Sequence, residues 1–248
     1  NLSCKGALPR AVTDCLNFGA PENSDSYWQM VEAIKGLSES CKFFDTPVIS
    51  GNVSLYNENK GKPIDPTPVV GMVGLINDCK HICTLDFKAE NDLIFLLGES
   101  HNELGGSEYL ECIHHRKCGL PPVLDLSLEK NIQSFCRRMI EKDLLASAHD
   151  CSLGGLAIAL SESCISSGLG AEVELKTDIR SDCGLFGESQ SRIIVSANPE
   201  KAKKVAEFAK NEKIPFQPLG YVKGNCLKIN DWINIPVSQI KKAWHRKN

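Results

Sequence analysis

Apolar and polar residues follow one another in blocks along this chain, and the blocks predict strands mixed with helices. Residues 10–18 (RAVTDCLNF) have the pattern of an extended strand. Residues 24–44 carry apolar side chains at steps of three and four, which predicts a helix with one apolar face. That face comprises Trp28, Val31, Ile34, Leu37, Cys41 and Phe44. Ser24 with Asp25 fits the N-cap of this helix, because a short polar side chain and a negative charge favour a helix start.

Two further strands are predicted in the first third of the chain. Residues 47–50 (PVIS) predict a buried strand that changes character at Gly51, and residues 68–76 (PVVGMVGLI) predict the next one. A Pro- and Gly-rich stretch between them is typical of an exposed connection.

The pattern restarts with an apolar strand at residues 92–98, so we place a domain boundary near Leu85. Later blocks predict strands at residues 171–175, 192–197 and 214–222. Three helices are predicted in this region. One has an apolar face of Leu128, Ile132, Phe135 and Met139, and another has an apolar face of Leu153, Leu156, Leu160 and Cys164. The C-terminal residues predict a last amphipathic helix. Mixed elements in this order predict an α/β (α+β) fold with two regions, residues 1–85 and 86–248.

Composition and charge exclude several classes of function. The formal net charge of −3 argues against nucleic acid as a partner, since binding to a phosphate backbone needs a positive face. No apolar run approaches the roughly 20 residues of a membrane span. The twelve cysteines are scattered over apolar positions, which indicates reduced thiols in the cytoplasm. Residues 112–118 (CIHHRKC) lack the second ligand pair of a zinc motif. The first residue is Asn1, and we expect the chain to be part of a longer protein.

Small polar residues concentrate at two places in the first region. Asp14 follows the first apolar block, where it can bind a nucleotide or Mg²⁺, or only cap the helical region after it. At the end of the second strand, Gly51 lets a backbone approach a phosphate, Asn52 offers a hard oxygen to Mg²⁺, and Ser54 can donate to an anion. A simple turn explains the same residues equally well.

The second region has three such segments. Gly105 and Gly106 precede a short helix, whose N–H groups could bind an anion. Asp150 and Ser152 precede another helix; Ser152 is either an N-cap or a phosphate contact beside a metal-binding carboxylate. The triplet 188–190 precedes a strand and is typical of a turn, and His149 has no nucleophile beside it in the sequence, so we interpret it as structural.

Several longer runs together resemble the synthetase subunit of the phosphoribosylformylglycinamidine synthase family. The runs are AVTDCLNFG, YWQMVEAIKG, PVISGNVSLYNE, PTPVVGMVGL, LGGSEYL, HDCSLGGLAIALSES and FGESQSR. The resemblance covers nearly the whole chain and implies the aminoimidazole-ribonucleotide-synthetase-like fold. The full subunit in this family contains two tandem copies of a pair of domains, A and B. Residues 1–85 then correspond to a partial A domain and residues 86–248 to a B domain, both belonging to the C-terminal copy.

The resemblance also implies a reaction, cofactors and partners. Family members convert formylglycinamide ribonucleotide, ammonia and ATP into formylglycinamidine ribonucleotide, ADP and phosphate, with Mg²⁺. The implied partners are the N-terminal half of the same subunit, a glutaminase and a small bridging subunit; a homodimer of this part is left open. A non-catalytic nucleotide-binding or structural module, or another superfamily member, is the alternative.

The resemblance carries over roles for individual residues. It implies ATP binding by Asp14 and Gly51, Mg²⁺ binding by Asn52 and a ribonucleotide contact by Ser54. Asp150 and Ser152 match an auxiliary nucleotide and metal site, and the triplet Glu188, Ser189 and Gln190 matches, by internal symmetry, a substrate-binding triplet of the other copy. Leu153 departs from the acidic residue that many members have beside Asp150. No segment matches the family's catalytic histidines, so we expect no catalytic residue here and no activity from this chain alone.

Overall fold

The computed structural model describes residues 1–245 and contains two compact units. One consists of Leu2 and Ala7–Ile76; the other consists of Asn1, Ser3–Gly6 and the chain from Asn77 onward. Strands and helices are mixed in both units, and the larger sheet contains parallel and antiparallel pairs. The predicted α/β (α+β) class is therefore confirmed.

The N-terminal unit is a three-stranded sheet with one long helix and a small hairpin. Its elements are β1 (Leu8–Asn17), α1 (Ser24–Phe44), β2 (Val48–Ser54), β3 (Glu58–Asn59), β4 (Lys62–Pro63) and β5 (Thr67–Leu75). β1 lies in the centre, parallel to β2 and antiparallel to β5, while β3 and β4 pair with each other. Because β1 and β2 are parallel, their carboxyl ends meet at one edge of the sheet.

Helix α1 has the predicted bounds but a different cap. The Asn23 side chain accepts hydrogen bonds from the backbone N–H groups of Asp25 and Ser26, so the N-cap is Asn23 and the prediction of Ser24 as the N-cap was wrong. Asp25 lies in the first turn, where its negative charge was predicted. The predicted apolar face is not buried throughout: Trp28 is 64% exposed and Ile34 is 40% exposed.

Strand β2 is exposed, and the prediction of a buried strand was wrong. Val48, Ile49 and Val53 are 48%, 67% and 58% exposed. The physical reason is position: β2 and β5 are the two edges of a narrow sheet, and both are exposed over most of their length. The strand also continues through Gly51 to Ser54, because the parallel ladder with β1 extends that far.

The second unit is built on a seven-stranded mixed sheet. Its elements are β6 (Leu93–Leu97), α2 (Glu108–His114), α3 (Leu126–Glu141), β7 (Ser147–Asp150), α4 (Gly155–Ile165), β8 (Ala171–Val173), α5 (Ser181–Phe186), β9 (Ile193–Ala197), α6 (Pro199–Asn211), β10 (Phe216–Val222), β11 (Cys226–Ile229), β12 (Ile233–Pro236) and α7 (Val237–Trp244). Short 3₁₀ turns lie at Ser3–Lys5 and Cys79–His81. The strand order is β12-β11-β8-β10-β6-β9-β7.

Both faces of the central strands are buried, which explains their unbroken apolar sequence. Phe95 and Leu97 of β6 belong to one core cluster with α3 and α6, whereas Ile94 and Leu96 belong to another with α4. The predicted face of α3 is buried as expected, with Ile132, Phe135 and Met139 at most 1% exposed.

The predicted face of α4 needs one correction. Leu156, Leu160 and Cys164 are fully buried, but Leu153 lies before the helix and is 67% exposed. The helix begins only after the backbone turns through Gly154 in the left-handed region, and this turn removes Leu153 from the helical periodicity. No helix within residues 1–245 is long and apolar enough to cross a membrane.

Candidate functional site

Asp14 and Gly51 are neighbours in the ladder between β1 and β2. They are register partners, and a Cβ atom placed on Gly51 would lie only 1.8 Å from Oδ1 of Asp14. The Asp14 carboxylate therefore lies over the Gly51 backbone, in space that a larger residue would need. This contact gives a reason for a glycine in the middle of a strand that the sequence alone attributes to a turn or a phosphate.

Asn52 and Ser54 face the opposite side of the same sheet. Asn52 pairs with Cys15, and its Nδ2 lies 3.8 Å from Cys15 Sγ. Since side chains alternate between faces, Asn52 and Ser54 share one face and Asp14 has the other. The structure thus brings the four predicted residues to two adjacent strands but not to a single face. Asp14 and Asn52 both lie within strands, so the turn that the sequence allowed at Asn52 is not formed.

The corner after β2 is fixed to the end of β1 by Asn57. Its Nδ2 donates to the carbonyl oxygens of Phe18 and Ser54, at 3.0 and 2.9 Å, and its Oδ1 accepts from the Ser54 hydroxyl at 3.1 Å. Ser54 is half-buried and Asn52 is exposed. Sequence reasoning missed Asn57; its position three residues after Ser54 in a polar corner was the available signal.

A second polar cluster lies at the end of β7 in the other unit. His149 Nε2 lies 2.7 Å from a carboxylate oxygen of Glu162, and the Ser152 hydroxyl donates to Asp150 at 2.5 Å. Burial would raise the pKa of Asp150, but hydrogen bonds from His149 and Ser152 hold that pKa below its usual range. Burial would lower the pKa of His149, yet the Asp150 and Glu162 carboxylates raise it above its ordinary value.

Ser152 does not cap helix α4. The N-cap is Gly154, and no side chain makes the capping hydrogen bond from that position. Instead Glu188 reaches the helix start, because its Oε1 accepts a hydrogen bond of 2.9 Å from the Gly154 N–H. The Ser152 hydroxyl is therefore engaged by Asp150, and of the two alternatives from the sequence the N-cap was wrong.

The side chains of residues 188–190 form hydrogen bonds within the protein. Glu188 accepts from the backbone N–H groups of Glu108 and Gly154, and Ser189 is 1% exposed and accepts from His101 N–H. Gln190 is the exposed member, although its amide donates to the Glu188 carbonyl. Two of the three side chains thus contribute to packing and capping.

The start of α2 is likewise capped by the protein. The Ser107 hydroxyl accepts from Leu110 N–H, and Glu188 occupies the first N–H of the helix. Gly105 is required for close packing, since its Cβ would lie 1.9 Å from the Leu120 carbonyl oxygen. Within residues 1–245, no group of three or more His, Cys, Asp or Glu side chains is placed to hold a metal ion.

Two family models cover most of the chain. The N-terminal domain model of AIR synthase related proteins matches residues 1–76, and the C-terminal domain model matches residues 89–229. The chain belongs to the AIR synthase related family. The resemblance inferred from the sequence runs is confirmed at this level.

Curated relatives show which members of the family this chain is similar to. It is 46% identical over 98% of its length to phosphoribosylformylglycinamidine synthase subunit PurL of Caldanaerobacter subterraneus subsp. tengcongensis, and 47% identical to that of Alkaliphilus metalliredigens over the same share. It spans about a third (34%) of the length of these relatives.

The fold is also found in solved structures. PurL of Thermotoga maritima in complex with FGAR has a TM-score of 0.73 at 21% identity, with 96% of this chain and 40% of that chain covered. The hydrogenase maturation protein HypE in complex with ATP has a TM-score of 0.66 at 14% identity, with 95% of this chain and 74% of that chain covered. These similarities concern the fold.

Proposed function

We propose that this chain is the C-terminal part of the synthetase subunit of phosphoribosylformylglycinamidine synthase, an ATP-dependent C–N ligase of purine biosynthesis. The observation that carries the proposal is 46% identity over 98% of the chain to PurL subunits about three times as long. The substrates would be formylglycinamide ribonucleotide, ammonia from glutamine, and ATP. Residues 1–85 would serve as a partial A domain and residues 86–248 as a B domain, in the cytoplasm.

Asn52 is suited to a hard cation such as Mg²⁺. It is exposed, and within the described residues its side-chain oxygen accepts no hydrogen bond, so a ligand atom is available without breaking a contact. A single amide oxygen does not complete a magnesium site; nucleotide phosphates and water would supply the remaining ligands. Bound Mg²⁺ would neutralise charge on the phosphoryl group that ATP transfers to the substrate amide.

Gly51 and Ser54 lie before and after Asn52 along β2, and each would have its own part in binding the substrates. Without a side chain, Gly51 leaves room for the Asp14 carboxylate, which can accept hydrogen bonds from the nucleotide. The Ser54 hydroxyl lies at the strand end and donates to Asn57 Oδ1; to bind an anionic ribonucleotide, its single O–H would turn from Asn57 to the ligand. Because Asp14 lies on the opposite face, we infer that nucleotide and ribonucleotide would meet at the shared carboxyl edge of β1 and β2.

Exchanges at Asn52 and Ser54 in the full-length subunit test this proposal. We expect N52A to raise the Mg²⁺ concentration required for half-maximal rate, and S54A to raise KM for the ribonucleotide, each by roughly tenfold. Ser38→Ala on the exposed side of α1 and Asn59→Ala in the β3–β4 hairpin are matched controls with unchanged kinetics. Unchanged kinetics in N52A and S54A would refute these residue roles. Amidine synthesis by the isolated 248-residue chain, given ammonia and ATP, would contradict the assignment as an incomplete part.

A structural role in a larger assembly is the second candidate, and one observation favours it. The apolar residues Ile49, Val53 and Val73 are each more than half exposed on the edge strands β2 and β5, an arrangement typical of a surface that another polypeptide covers. The N-terminal half of the subunit, a glutaminase and a small bridging subunit are the proposed partners. If I49D and V73D abolish assembly, measured by size-exclusion chromatography, while N52A leaves turnover unchanged, the structural role is favoured.

A further inference from the structure

The guanidinium group of Arg192 is buried without a carboxylate bonded to it. Arg192 is 2% exposed, and its Nε donates to the Ser189 carbonyl at 2.9 Å. Nη1 donates to the Ser100 hydroxyl at 2.8 Å, and Nη2 donates to the Gly187 carbonyl at 2.5 Å. Within the described chain these neutral oxygens are its hydrogen-bond acceptors. Burying a cation against neutral groups is costly, so the arrangement calls for a reason other than simple stability.

Two of these bonds tie one short loop to the guanidinium. Gly187 and Ser189 both direct their carbonyl oxygens at the same guanidinium, which draws residues 187–191 around it. Ser191 completes the loop with a positive φ of 60°, a conformation that a non-glycine residue adopts only when its surroundings impose it. We call residues 187–192 the Arg192 loop.

The Arg192 loop in turn fixes the segment that carries Ser152. The Arg192 carbonyl accepts from Cys151 N–H at 3.0 Å, and the Glu188 carboxylate accepts from Gly154 N–H at 2.9 Å. Gly155 lies so close that an added Cβ would be 2.4 Å from the Gly187 oxygen. Three contacts from one loop therefore fall on residues 151–155, directly beside Asp150.

We propose that Arg192 is a positioning residue for the Asp150–Ser152 cluster, which it reaches only through the backbone of its own loop. The guanidinium fixes the loop, the loop fixes residues 151–155, and that segment presents Ser152 to Asp150. The nucleotide and metal role of the cluster is the one that the family resemblance implies for Asp150 and Ser152. It rests on the proposed function, and Arg192 is added to it as the residue that shapes the site. Contacts to a nucleotide phosphate tolerate little displacement, so loosening this segment should weaken binding before it unfolds the domain.

Replacement of Arg192 in the full-length protein tests the inference by two readouts. The first is hydrogen exchange at the amides of Cys151 and Gly154, compared with that of Val195 in the core strand β9. The second is the affinity for Mg·ADP, measured by titration calorimetry. In R192M we expect both amides to exchange at least tenfold faster and affinity to fall roughly tenfold, with Val195 unchanged. R192K, which keeps a charge but makes fewer of the bonds, should be intermediate.

Arg180 offers a matched control. Its side chain is 71% exposed and pairs with Asp182, so R180M removes an arginine from the same unit without touching the loop. If R192M does not fold, Ser100→Ala removes one of the three acceptors and should accelerate exchange at the same two amides by about threefold.

The outcomes separate the inference from the proposed function. Unchanged exchange in R192M, or in S100A where R192M is unfolded, overturns the inference. Faster exchange with unchanged Mg·ADP affinity also overturns it, since the role would then be structural only. Absence of Mg·ADP binding to the wild-type protein counts against the auxiliary nucleotide site of the proposed function, whereas the exchange results still judge the link from Arg192 to residues 151–155.

Discussion

Alanine substitution at two glycines with similar backbone angles separates backbone strain from steric overlap. Gly155 and Gly168 have φ values of 68° and 74°, so an alanine at either position pays the left-handed penalty of about 1 kcal/mol. Their surroundings differ. A Cβ at Gly155 would lie 2.4 Å from the Gly187 oxygen and 3.0 Å from the Leu185 oxygen, whereas nothing lies within 4 Å of a Cβ at Gly168.

The overlap at Gly155 involves main-chain atoms that belong to a packed loop, so they cannot simply rotate away. Overpacking of this kind costs about 1–3 kcal/mol beyond the strain. We therefore expect G155A to lose about 2–4 kcal/mol and G168A about 1 kcal/mol. The free energy of opening, measured by hydrogen exchange at the Leu160 amide in the core of α4, reports both values on the same element. Equal losses in the two variants would refute the steric account of the contact between Gly155 and Gly187.

Three further predictions concern the other polar positions. Gly51→Ala should displace the Asp14 carboxylate by about 1.5 Å or more, because the added Cβ would lie 1.8 Å from a flexible side-chain oxygen. We expect under about 1 kcal/mol of destabilisation but weaker ATP binding in the full-length subunit, and unchanged ATP affinity would contradict this. Glu162→Gln should lower the raised pKa of His149. The stability from protonated His149 is present below about pH 6.5 and is lost as pH rises through the raised pKa, so the variant should lose roughly 1 kcal/mol of folding stability at pH 6 and less at pH 9. A loss of stability that does not depend on pH would count against this prediction. Asn23→Ala should destabilise α1 by about 1 kcal/mol, whereas Ser24→Ala should have little effect, as thermal unfolding of the two variants would show.

The spacing of apolar residues predicted helices and strands well, but it predicted the burial of an element less well where burial depends on the elements packed around it. Helix α3 was readable because its apolar face packs inside its own unit. Strand β2 has an equally apolar sequence, yet Ile49 is exposed, because burial depends on how many strands flank it and sequence spacing does not report that. The cap of α1 was misplaced by one residue for a related reason: Asn23, Ser24 and Asp25 are all good caps, and only backbone geometry selects among them.

The site residues show the same limit. The family resemblance, and not sequence spacing, joined Asp14, Gly51 and Asn52 in one expected site. The structure places them on the neighbouring strands β1 and β2, and the face that each side chain occupies follows from the register, which the sequence left open. The burial of Arg192 could not be predicted, because an arginine before an apolar strand is usually exposed. Its burial follows from three acceptors that are contributed by residues up to 92 positions away.

The two candidate sites differ in what a ligand would have to displace. At Asn52 the amide oxygen has no partner within the described residues, so a cation would form a contact without breaking one. At Asp150 the carboxylate already accepts from Ser152, with His149 Nδ1 3.7 Å away, and a metal ion must compete with both. A metal ion at Asp150 would therefore require loss of the proton from His149 or rotation of Ser152. Since a raised pKa favours protonated His149, metal binding there should strengthen as pH rises through that pKa, whereas binding at Asn52 should not depend on pH over the same range. Mg²⁺ titrations of the full-length protein at pH 6 and pH 8.5, with D150N and N52A compared, would separate the two sites; the same pH dependence in both variants would refute this distinction.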